Sequence, residues 1–424
     1  MQSVNRRKVL VGSALALMIV ASVLLVAGAA DGSSSLLRIH NHGFLPTDMR
    51  GPFQHLDISV SGGQSVALLV VLFACYLAIL AGSESVPVRL VIAAIVALHL
   101  IFALAPPLLS SDLFGYVGFA RLEVVHDLNP YRYAPAYAPD DPIYPFVGLK
   151  LHTTPYGPLF TLLSLPVGWL SPAAAIWALK SAFTLASLGC VALVAACARR
   201  LGRDPLQAAL FVGLNPVLLV FAVGGGHNDL LVMLFALSGI LLLLRGSLGA
   251  GIAGLVAASA SKLSAGLLLP FAVLGSADRR RALIWAVGTA VAGVAIALLV
   301  FGTTLVSVRE EFDTQADLSS PNDIPGAIND LLGLGLSNFV LSRIGIGVFA
   351  IVVCWLLVRA YRGADWVQSA GWATFTLLVT TTWFLPWYLV WFLPLAAISA
   401  GRNQKLAALA LTALVIGLQA SSIA

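Results

Sequence analysis

The chain has 424 residues, of which 59% are hydrophobic and only 10% are charged, and its mean hydropathy is +0.94. Soluble domains carry about 25% charged residues, so this composition excludes a soluble globular protein and indicates an all-α, polytopic membrane protein. The net charge of +5 does not indicate nucleic-acid binding, because the basic residues are distributed as membrane orientation requires.

Long apolar segments predict about 13 membrane crossings, with a long outer loop after the third. The first segment resembles a signal peptide, but its apolar stretch of about 20 residues favours a retained anchor. A pair of short spans between 248 and 275 is broken around Lys262, and 157–170 is short enough to be an interfacial or re-entrant helix. The other predicted spans lie near 9–30, 64–82, 90–109, 173–198, 206–223, 230–244, 283–301, 340–358, 366–383, 387–399 and 405–420.

The distribution of basic residues predicts a cytoplasmic N-terminus. With this orientation the cytoplasmic loops hold 15 of the 24 Lys and Arg residues but only 4 of the 19 acidic ones. The polar loops 31–63, 110–156 and 302–338 then lie outside. We predict a single membrane domain, 1–424, that comprises N-terminal spans (1–109), an outer catalytic loop (110–156), core spans with the donor site (157–301), an outer loop (302–338) and C-terminal spans (339–424).

The first outer loop contains three histidines, at His40, His42 and His55. No cysteine and no HxxxH spacing accompanies them, so a solvated loop is favoured over a zinc site. We predict no metal ligands.

Asp112 follows the third predicted span, where the membrane meets the long outer loop. One interpretation is that this carboxylate caps the helix that begins there, with Ser110 or Ser111 as another candidate cap. The other is a general base for a sugar hydroxyl, since burial beside apolar residues would raise the pKa of the carboxyl towards a useful range.

The motif GGGHND (224–229) joins two spans at the same predicted face. Glycines allow close backbone approach, and the N–H groups at the start of the next helix suit a phosphate. The alternative is a hairpin turn with an Asn or Asp cap. We take His227, Asn228 and Asp229 as candidate donor- or phosphate-binding residues.

Two lysines interrupt apolar segments, Lys262 in LVAASASKLSAGLLLP and Lys180 in AIWALKSAFTL. An unpaired lysine within a span costs about 2.5–3.5 kcal/mol on insertion scales. Each either extends towards the interface or binds the phosphate of a lipid donor.

The outer loop contributes further candidates. In TTPYGP (153–158) two prolines stiffen the chain around Tyr156, which we place at the donor site. Arg121, Tyr131 and His152 are candidate acceptor or loop contacts. The aromatic segment WFLPWYLVWFLPL (383–395) is interpreted as an interfacial aromatic belt in preference to a sugar platform.

Three stretches carry a family resemblance: SSDLFGYVGFARLEVVHDLNPY, HTTPYGPL and LNPVLLVFAVGGGHND. In that order and spacing they resemble the actinobacterial polyprenol-phosphate-mannose-dependent α-1,6-mannosyltransferases, which are membrane glycosyltransferases of the GT-C class. The resemblance covers roughly residues 105–275.

The resemblance implies transfer of mannose from a polyprenyl phosphate to a glycolipid or glycan acceptor, with inversion. It places the reaction at the outer face of the plasma membrane, as in lipomannan and lipoarabinomannan synthesis. It also implies that Asp112 is the general base and that His227 and Asp229 lie beside the donor. The partners would be the lipid-linked sugar, the acceptor and membrane lipids.

No cofactor is expected, because the leaving group is already a phosphate and one base plus one cation would suffice; a divalent cation is not indicated. The presence of one candidate carboxylate in place of a flanking pair argues against a glycosidase. The alternatives are a carrier or flippase for lipid-linked sugars, a transferase for another sugar such as arabinose, and a scaffold. Carriers place their sites near the membrane midplane, whereas these polar residues cluster at one face.

Overall fold

The computed structural model describes residues 2–31, 36–37, 45–85, 87–303, 320 and 322–423. Within these ranges the chain forms α-helices joined by loops and by short 3-10 and π turns, with no β-strand. The predicted all-α class is therefore confirmed.

The α-helices, numbered in chain order, are α1 (Gln2–Ala30), α2 (Gly62–Gly82), α3 (Val88–Ala103), α4 (Asp112–His126), α5 (Pro158–Ser164), α6 (Pro172–Arg200), α7 (Pro205–Gly213), α8 (Asp229–Leu244), α9 (Leu248–Ser261), α10 (Leu268–Leu274), α11 (Arg279–Phe301), α12 (Ile324–Leu332), α13 (Asn338–Tyr361), α14 (Trp366–Thr380), α15 (Leu389–Ile398) and α16 (Arg402–Ile423).

Six of the described helices are long and apolar enough to cross a membrane by length and composition: the part of α1 from Arg7 to Ala30, together with α2, α6, α11, α13 and α16. Shorter apolar helices account for other predicted spans, among them α3, α8 and α9. The protein is a multi-pass membrane protein, while the count of about 13 crossings stays a prediction.

Two predicted irregular segments are short helical pieces in the structure. Helix α5 continues as a 3-10 turn, Leu165–Trp169, and the whole segment is too short to cross a bilayer. Helix α9 ends at Ser261, and Lys262 adopts an extended conformation before a 3-10 turn, Leu263–Leu267, leads into α10. The predicted break at Lys262 is therefore present.

The segment before the glycine motif is also irregular. Helix α7 ends at Gly213, and the side-chain oxygen of Asn215 accepts hydrogen bonds from the N–H groups of Val217 and Leu218, at 3.0 and 3.2 Å. The residues Leu218–Val223 then form a π turn, in which the Gly224 N–H donates to the Leu219 carbonyl at 2.9 Å. π turns occur often at functional sites.

Helices α8 and α9 pack closely because glycines line their contact. A Cβ atom on Gly239 of α8 would lie 2.7 Å from the Gly251 carbonyl oxygen, and one on Gly254 of α9 would lie 2.9 Å from the Gly239 Cα atom. This antiparallel pair places the first residue of α8, Asp229, beside the end of α9, where Lys262 follows.

The close packing of α8 on α9 is testable by adding one methyl group. We expect Gly239→Ala to lower the free energy of unfolding by about 1–3 kcal/mol, because overpacking forces the backbones apart. Gly288→Ala on α11 is the matched control, since a Cβ atom there meets nothing within 4 Å. Thermal unfolding of the purified protein in detergent measures both, and equal midpoints for the two variants would contradict the proposed contact.

Candidate functional site

Asp112 lies at the start of α4, a short helix that is not among the candidate spans. Leu109, three residues earlier, has a left-handed φ of 59°, an uncommon conformation for a residue with a side chain. The Ser110 hydroxyl accepts a hydrogen bond from the Asp112 N–H at 3.1 Å, and Ser111 occupies the N-cap position. The Asp112 side chain is 27% exposed, so it is only partly buried.

The glycine motif places His227 beside this carboxylate. Gly226 has a φ of 72°, and a Cβ atom on Gly225 would lie 2.7 Å from His227 Nε2, so both positions require glycine. His227 is fully buried and its Nδ1 lies 3.4 Å from Asp112 Oδ2. Its ring stacks on the indole of Trp387, with ring centres 3.6 Å apart.

Asn228 is fixed by Tyr116 of α4. The Tyr116 hydroxyl accepts from the Asn228 backbone N–H at 3.3 Å and donates to Asn228 Oδ1 at 3.2 Å. The backbone N–H groups of Gly226, His227, Leu230 and Leu231 also have backbone acceptors. The expectation that this turn offers free N–H groups to a phosphate is therefore not met by these residues.

Asp229 is fully buried and forms an ion pair with Lys262. The Lys262 ammonium and the Trp391 indole N–H both donate to Asp229 Oδ1, each at 2.7 Å. The same ammonium lies 4.9 Å from the ring centre of Tyr388 and 5.2 Å from that of Trp391, which supports the cation further. The charge of Lys262 is thus already balanced inside the protein.

Several buried polar atoms of this cluster have no hydrogen-bond partner among the described residues. They are His227 Nε2, Asn228 Nδ2, Asp229 Oδ2 and Trp387 Nε1, whereas His227 Nδ1 has its 3.4 Å contact with Asp112 Oδ2. Buried polar groups in native proteins are normally paired, so a concentration of unpaired ones indicates a place where a polar ligand binds.

The electrostatics of Asp112 differ from the expectation. Burial alone would raise the pKa of this carboxyl, but the adjacent His227, the positive charge of Lys262 and the Ser110 hydroxyl together hold it below its usual value. The predicted rise was wrong because it considered only the apolar surroundings. Asp112 is ionised at neutral pH and can accept a proton.

Lys180 does not face the cluster. Its ammonium is buried and donates to the carbonyl oxygens of Ala105, Pro106 and Gly224, at 2.6, 3.3 and 2.8 Å. All three N–H groups are therefore used to hold the glycine turn against the end of α3. A role in phosphate binding does not fit this arrangement, and neither does extension towards water.

Tyr156 lies at the edge of the cluster, and its role at a donor site stays a prediction. Its ring makes an edge-to-face contact with Tyr116, with centres 4.8 Å apart. Burial raises the pKa of Tyr156 well above its usual value, so the phenol stays protonated as a donor. Tyr131 supports this position, because its hydroxyl donates to the Tyr156 carbonyl at 2.9 Å and lies 2.9 Å from the Thr161 hydroxyl.

Arg121 is used within the outer loop. It contacts both carboxylate oxygens of Asp141, at 3.0 and 2.9 Å, and the carbonyls of Gly168 and Leu170. His126 also contacts Asp141, at 2.7 Å. Arg121 thus secures the loop, whereas His152 is exposed and lies outside the cluster of paired side chains.

The aromatic segment 383–395 was interpreted incorrectly. Trp387 is buried against His227, and Trp391 donates to Asp229, so these residues form part of the site and not of an interfacial belt. Tyr388 stacks on Trp391, with ring centres 4.2 Å apart. The two tryptophans were missed as site residues. The one available signal was their position in a segment that also contains two prolines.

No group of three or more His, Cys, Asp and Glu residues within the described ranges is arranged to hold a metal ion. His55 lies in the described part of the first outer loop. His40 and His42 lie outside the described residues, so the interpretation of that histidine cluster stays a prediction.

Two family models match the chain. The model described as "Alpha-(1->6)-mannopyranosyltransferase, N-terminal domain" matches residues 9–278, and the model described as "MptB C-terminal domain" matches residues 322–421. The first match alone covers more than half of the chain. The chain belongs to the alpha-(1->6)-mannopyranosyltransferase family. The resemblance drawn from its three motifs is therefore confirmed. Asp112, Asp229 and Lys262 lie within the first match, and Trp387 and Trp391 lie within the second.

Members of the family from two organisms show the degree of similarity. The chain is 28% identical over 347 residues to alpha-(1->6)-mannopyranosyltransferase A of Mycobacterium tuberculosis, an alignment covering 72% of this chain and 64% of that protein. It is 27% identical over 342 residues to alpha-(1->6)-mannopyranosyltransferase B of Corynebacterium glutamicum, covering 69% and 56%. The chain thus spans less than two thirds of these relatives' lengths. No solved structure matches it.

The contacts of Asp141 predict that replacing this residue makes the protein less stable. Burial would raise the pKa of Asp141, but His126, the Ile143 N–H and Arg121 hold it below its usual value of about 3.9. The stabilisation is therefore fully present above that value and is lost as pH falls through the lower pKa of the folded state. We expect Asp141→Asn to lower the free energy of unfolding by about 1.5–3 kcal/mol at neutral pH.

Limited proteolysis of the loop 127–157 and thermal unfolding measure this effect. Asp140→Asn is the control, because Asp140 is the adjacent carboxylate and is exposed. Cleavage of the Asp141 variant at the same rate as the Asp140 variant would show that the ion pair does not secure the loop.

Proposed function

We propose that this protein is a glycosyltransferase that moves a mannosyl residue from a polyprenyl-phosphate donor to a glycan or glycolipid acceptor at the outer face of the cell membrane. Membership of the alpha-(1->6)-mannopyranosyltransferase family supports mannosyl transfer. The observation that carries the proposal is the cluster itself. A partly exposed carboxylate lies in one cluster with an ion pair and several unpaired polar atoms.

In the proposed reaction Asp112 is the general base. Its carboxylate accepts the proton of an acceptor hydroxyl while that oxygen bonds to the anomeric carbon of the sugar. The bond from this carbon to the phosphate oxygen breaks, the electron pair leaves with the lipid phosphate, and the configuration inverts. A general base in this role contributes about 10²–10⁴-fold to the rate.

Lys262 is a cation of the cluster whose charge acts on this base. We assign it to the leaving phosphate, whose growing negative charge it would stabilise as the bond to the sugar breaks. Its side chain is 18% exposed, so its charge acts in a weakly screened environment. Its pairing with Asp229 keeps it in place before the donor arrives.

The positions of the arginines support an outer-face site. Asp229 begins α8, and Arg245 follows the end of the same helix. Lys262 lies between α9 and α10, whereas Arg279 follows the far end of α10, at the start of α11. Basic residues favour the cytoplasmic side, so the cluster would face outward. A lipomannan-type acceptor is consistent with the family and is part of the proposal.

The central test is transfer from radiolabelled polyprenyl-phosphate mannose in membranes. We expect Asp112→Asn to reduce transfer by at least 10²-fold, because the amide cannot accept the proton. Asp57→Asn, an exposed carboxylate in the first outer loop, should retain the wild-type rate. Wild-type rates in a folded Asp112 variant would remove Asp112 as the base. Transfer of arabinose in preference to mannose, or transport without transfer, would replace the proposed function.

The pH dependence of transfer gives an independent test of the electrostatics. The base acts as its carboxylate, so the rate falls as pH drops through the pKa of Asp112, which is held below its usual value. Lys262→Met removes one of the charges that lower this pKa, so we expect the acidic limb of kcat/KM to move to higher pH. If the acidic limb of kcat/KM stays at the same pH while KM changes, Lys262 acts in donor binding alone.

A further inference from the structure

Two consecutive residues on the first turn of α8, Asn228 and Asp229, share an unusual arrangement. Both are fully buried, and in each side chain one polar atom is held by the protein while the other has no partner in the described part of the chain. Leaving such an atom unpaired inside a protein destabilises the fold, so native proteins rarely do so. Two adjacent side chains with this property indicate a ligand that satisfies both.

The free group of Asn228 is a hydrogen-bond donor. The Tyr116 hydroxyl has one proton, and because it accepts from the Asn228 backbone N–H, this proton is directed to Asn228 Oδ1. The amide oxygen is thereby fixed on Tyr116, and the unpaired atom is Nδ2. This nitrogen carries two N–H groups and accepts nothing.

The free group of Asp229 is an acceptor. Lys262 and Trp391 both donate to Oδ1, which leaves Oδ2 unpaired. An ionised carboxylate oxygen accepts hydrogen bonds and repels other anions. The phosphate that joins a sugar to a polyprenyl chain is a diester with no proton to donate, so it does not suit this oxygen.

A sugar hydroxyl suits both atoms, because it donates one hydrogen bond and accepts others. We propose that Asn228 and Asp229 recognise hydroxyl groups of the transferred sugar, with Tyr116, Lys262 and Trp391 as positioning residues. This assignment rests on the proposed function and separates the two residues from the phosphate. Lys262 links the two parts of the donor, since it pairs with Asp229 and is the cation assigned to the phosphate.

The experiment compares donors that each lack one sugar hydroxyl. We would measure kcat/KM for polyprenyl-phosphate mannose and its monodeoxy analogues with the wild type, Asn228→Ala and Asp229→Asn. A site built to bind a hydroxyl rejects the analogue lacking it by a large factor. We expect wild-type losses of about 10²-fold or more for at least one analogue, shrinking below about tenfold in the variant that has lost the matching side chain.

Equal losses for every analogue in the wild type and in both variants would overturn the inference. The inference would also be overturned if the variants changed discrimination among deoxy acceptors but not among deoxy donors. The hydroxyl groups that bind Asn228 and Asp229 would then belong to the acceptor. Quenching of tryptophan fluorescence by the donor analogues adds a binding readout, since Trp387 and Trp391 lie in the cluster. If binding shows the change in discrimination among donors while the wild type transfers no mannose, the proposed function fails and the sugar site stands.

The positioning residues allow a test in variants that keep the shape of the site. Tyr116→Phe deletes the hydroxyl that orients Asn228, and Trp391→Phe deletes the N–H that holds Asp229. We expect the first to relax discrimination at the hydroxyl read by Asn228 and the second at the one read by Asp229. Equal losses for all donors would indicate that these residues act only through stability.

Discussion

The ion pair between Asp229 and Lys262 is the interaction on which the site depends. Neither charge would be tolerated at these buried positions alone, since an isolated buried ion costs several kcal/mol. Their pairing joins the start of α8 to the end of α9, and Trp391 connects both to the first turn of α15. The glycine contacts between α8 and α9 allow this approach, so backbone packing far from the reaction determines the position of the pair.

Around this pair, three parts of the chain that are distant in sequence meet. The start of α4 contributes Asp112 and Tyr116, the glycine turn contributes His227 and Asn228, and the aromatic segment contributes Trp387. Each is placed by an irregular backbone feature next to an ordinary helix. Irregular backbone within a membrane protein is tolerated only where other groups satisfy its polar atoms. Here many of those groups also form the candidate site.

Sequence reasoning identified the residues whose charge is costly in an apolar context. Asp112, Asp229 and Lys262 stand out because hydropathy alone cannot accommodate them, and the structure brings all three together. Lys180 carries the same signal, yet it only binds carbonyl groups, because a buried ammonium can be satisfied by backbone as well as by a ligand.

The remaining errors concern information that depends on three-dimensional neighbours. Aromatic residues near a helix end are equally suited to an interfacial belt and to a binding site, so the two prolines of their segment were the only sequence signal that set Trp387 and Trp391 apart. The sign of the pKa shift of Asp112 depends on His227 and Lys262, which follow it by more than 100 positions in the chain. Helix positions were more predictable, because each depends on a continuous local stretch of apolar residues.

The π turn at Leu218–Val223 has a consequence for how this site tolerates change in chain length. A π turn contains one residue more than an α turn, inserted without moving the ends of the helical segment. Deleting a single residue there would only convert it to an ordinary α turn, whereas deleting one residue from α7, outside the π turn, would rotate everything after it by about 100° relative to the start of α7. His227 would then leave Asp112, although no residue of the site had been replaced. The rotation of this helical segment about its axis therefore determines the geometry of the site as much as the identity of its side chains does.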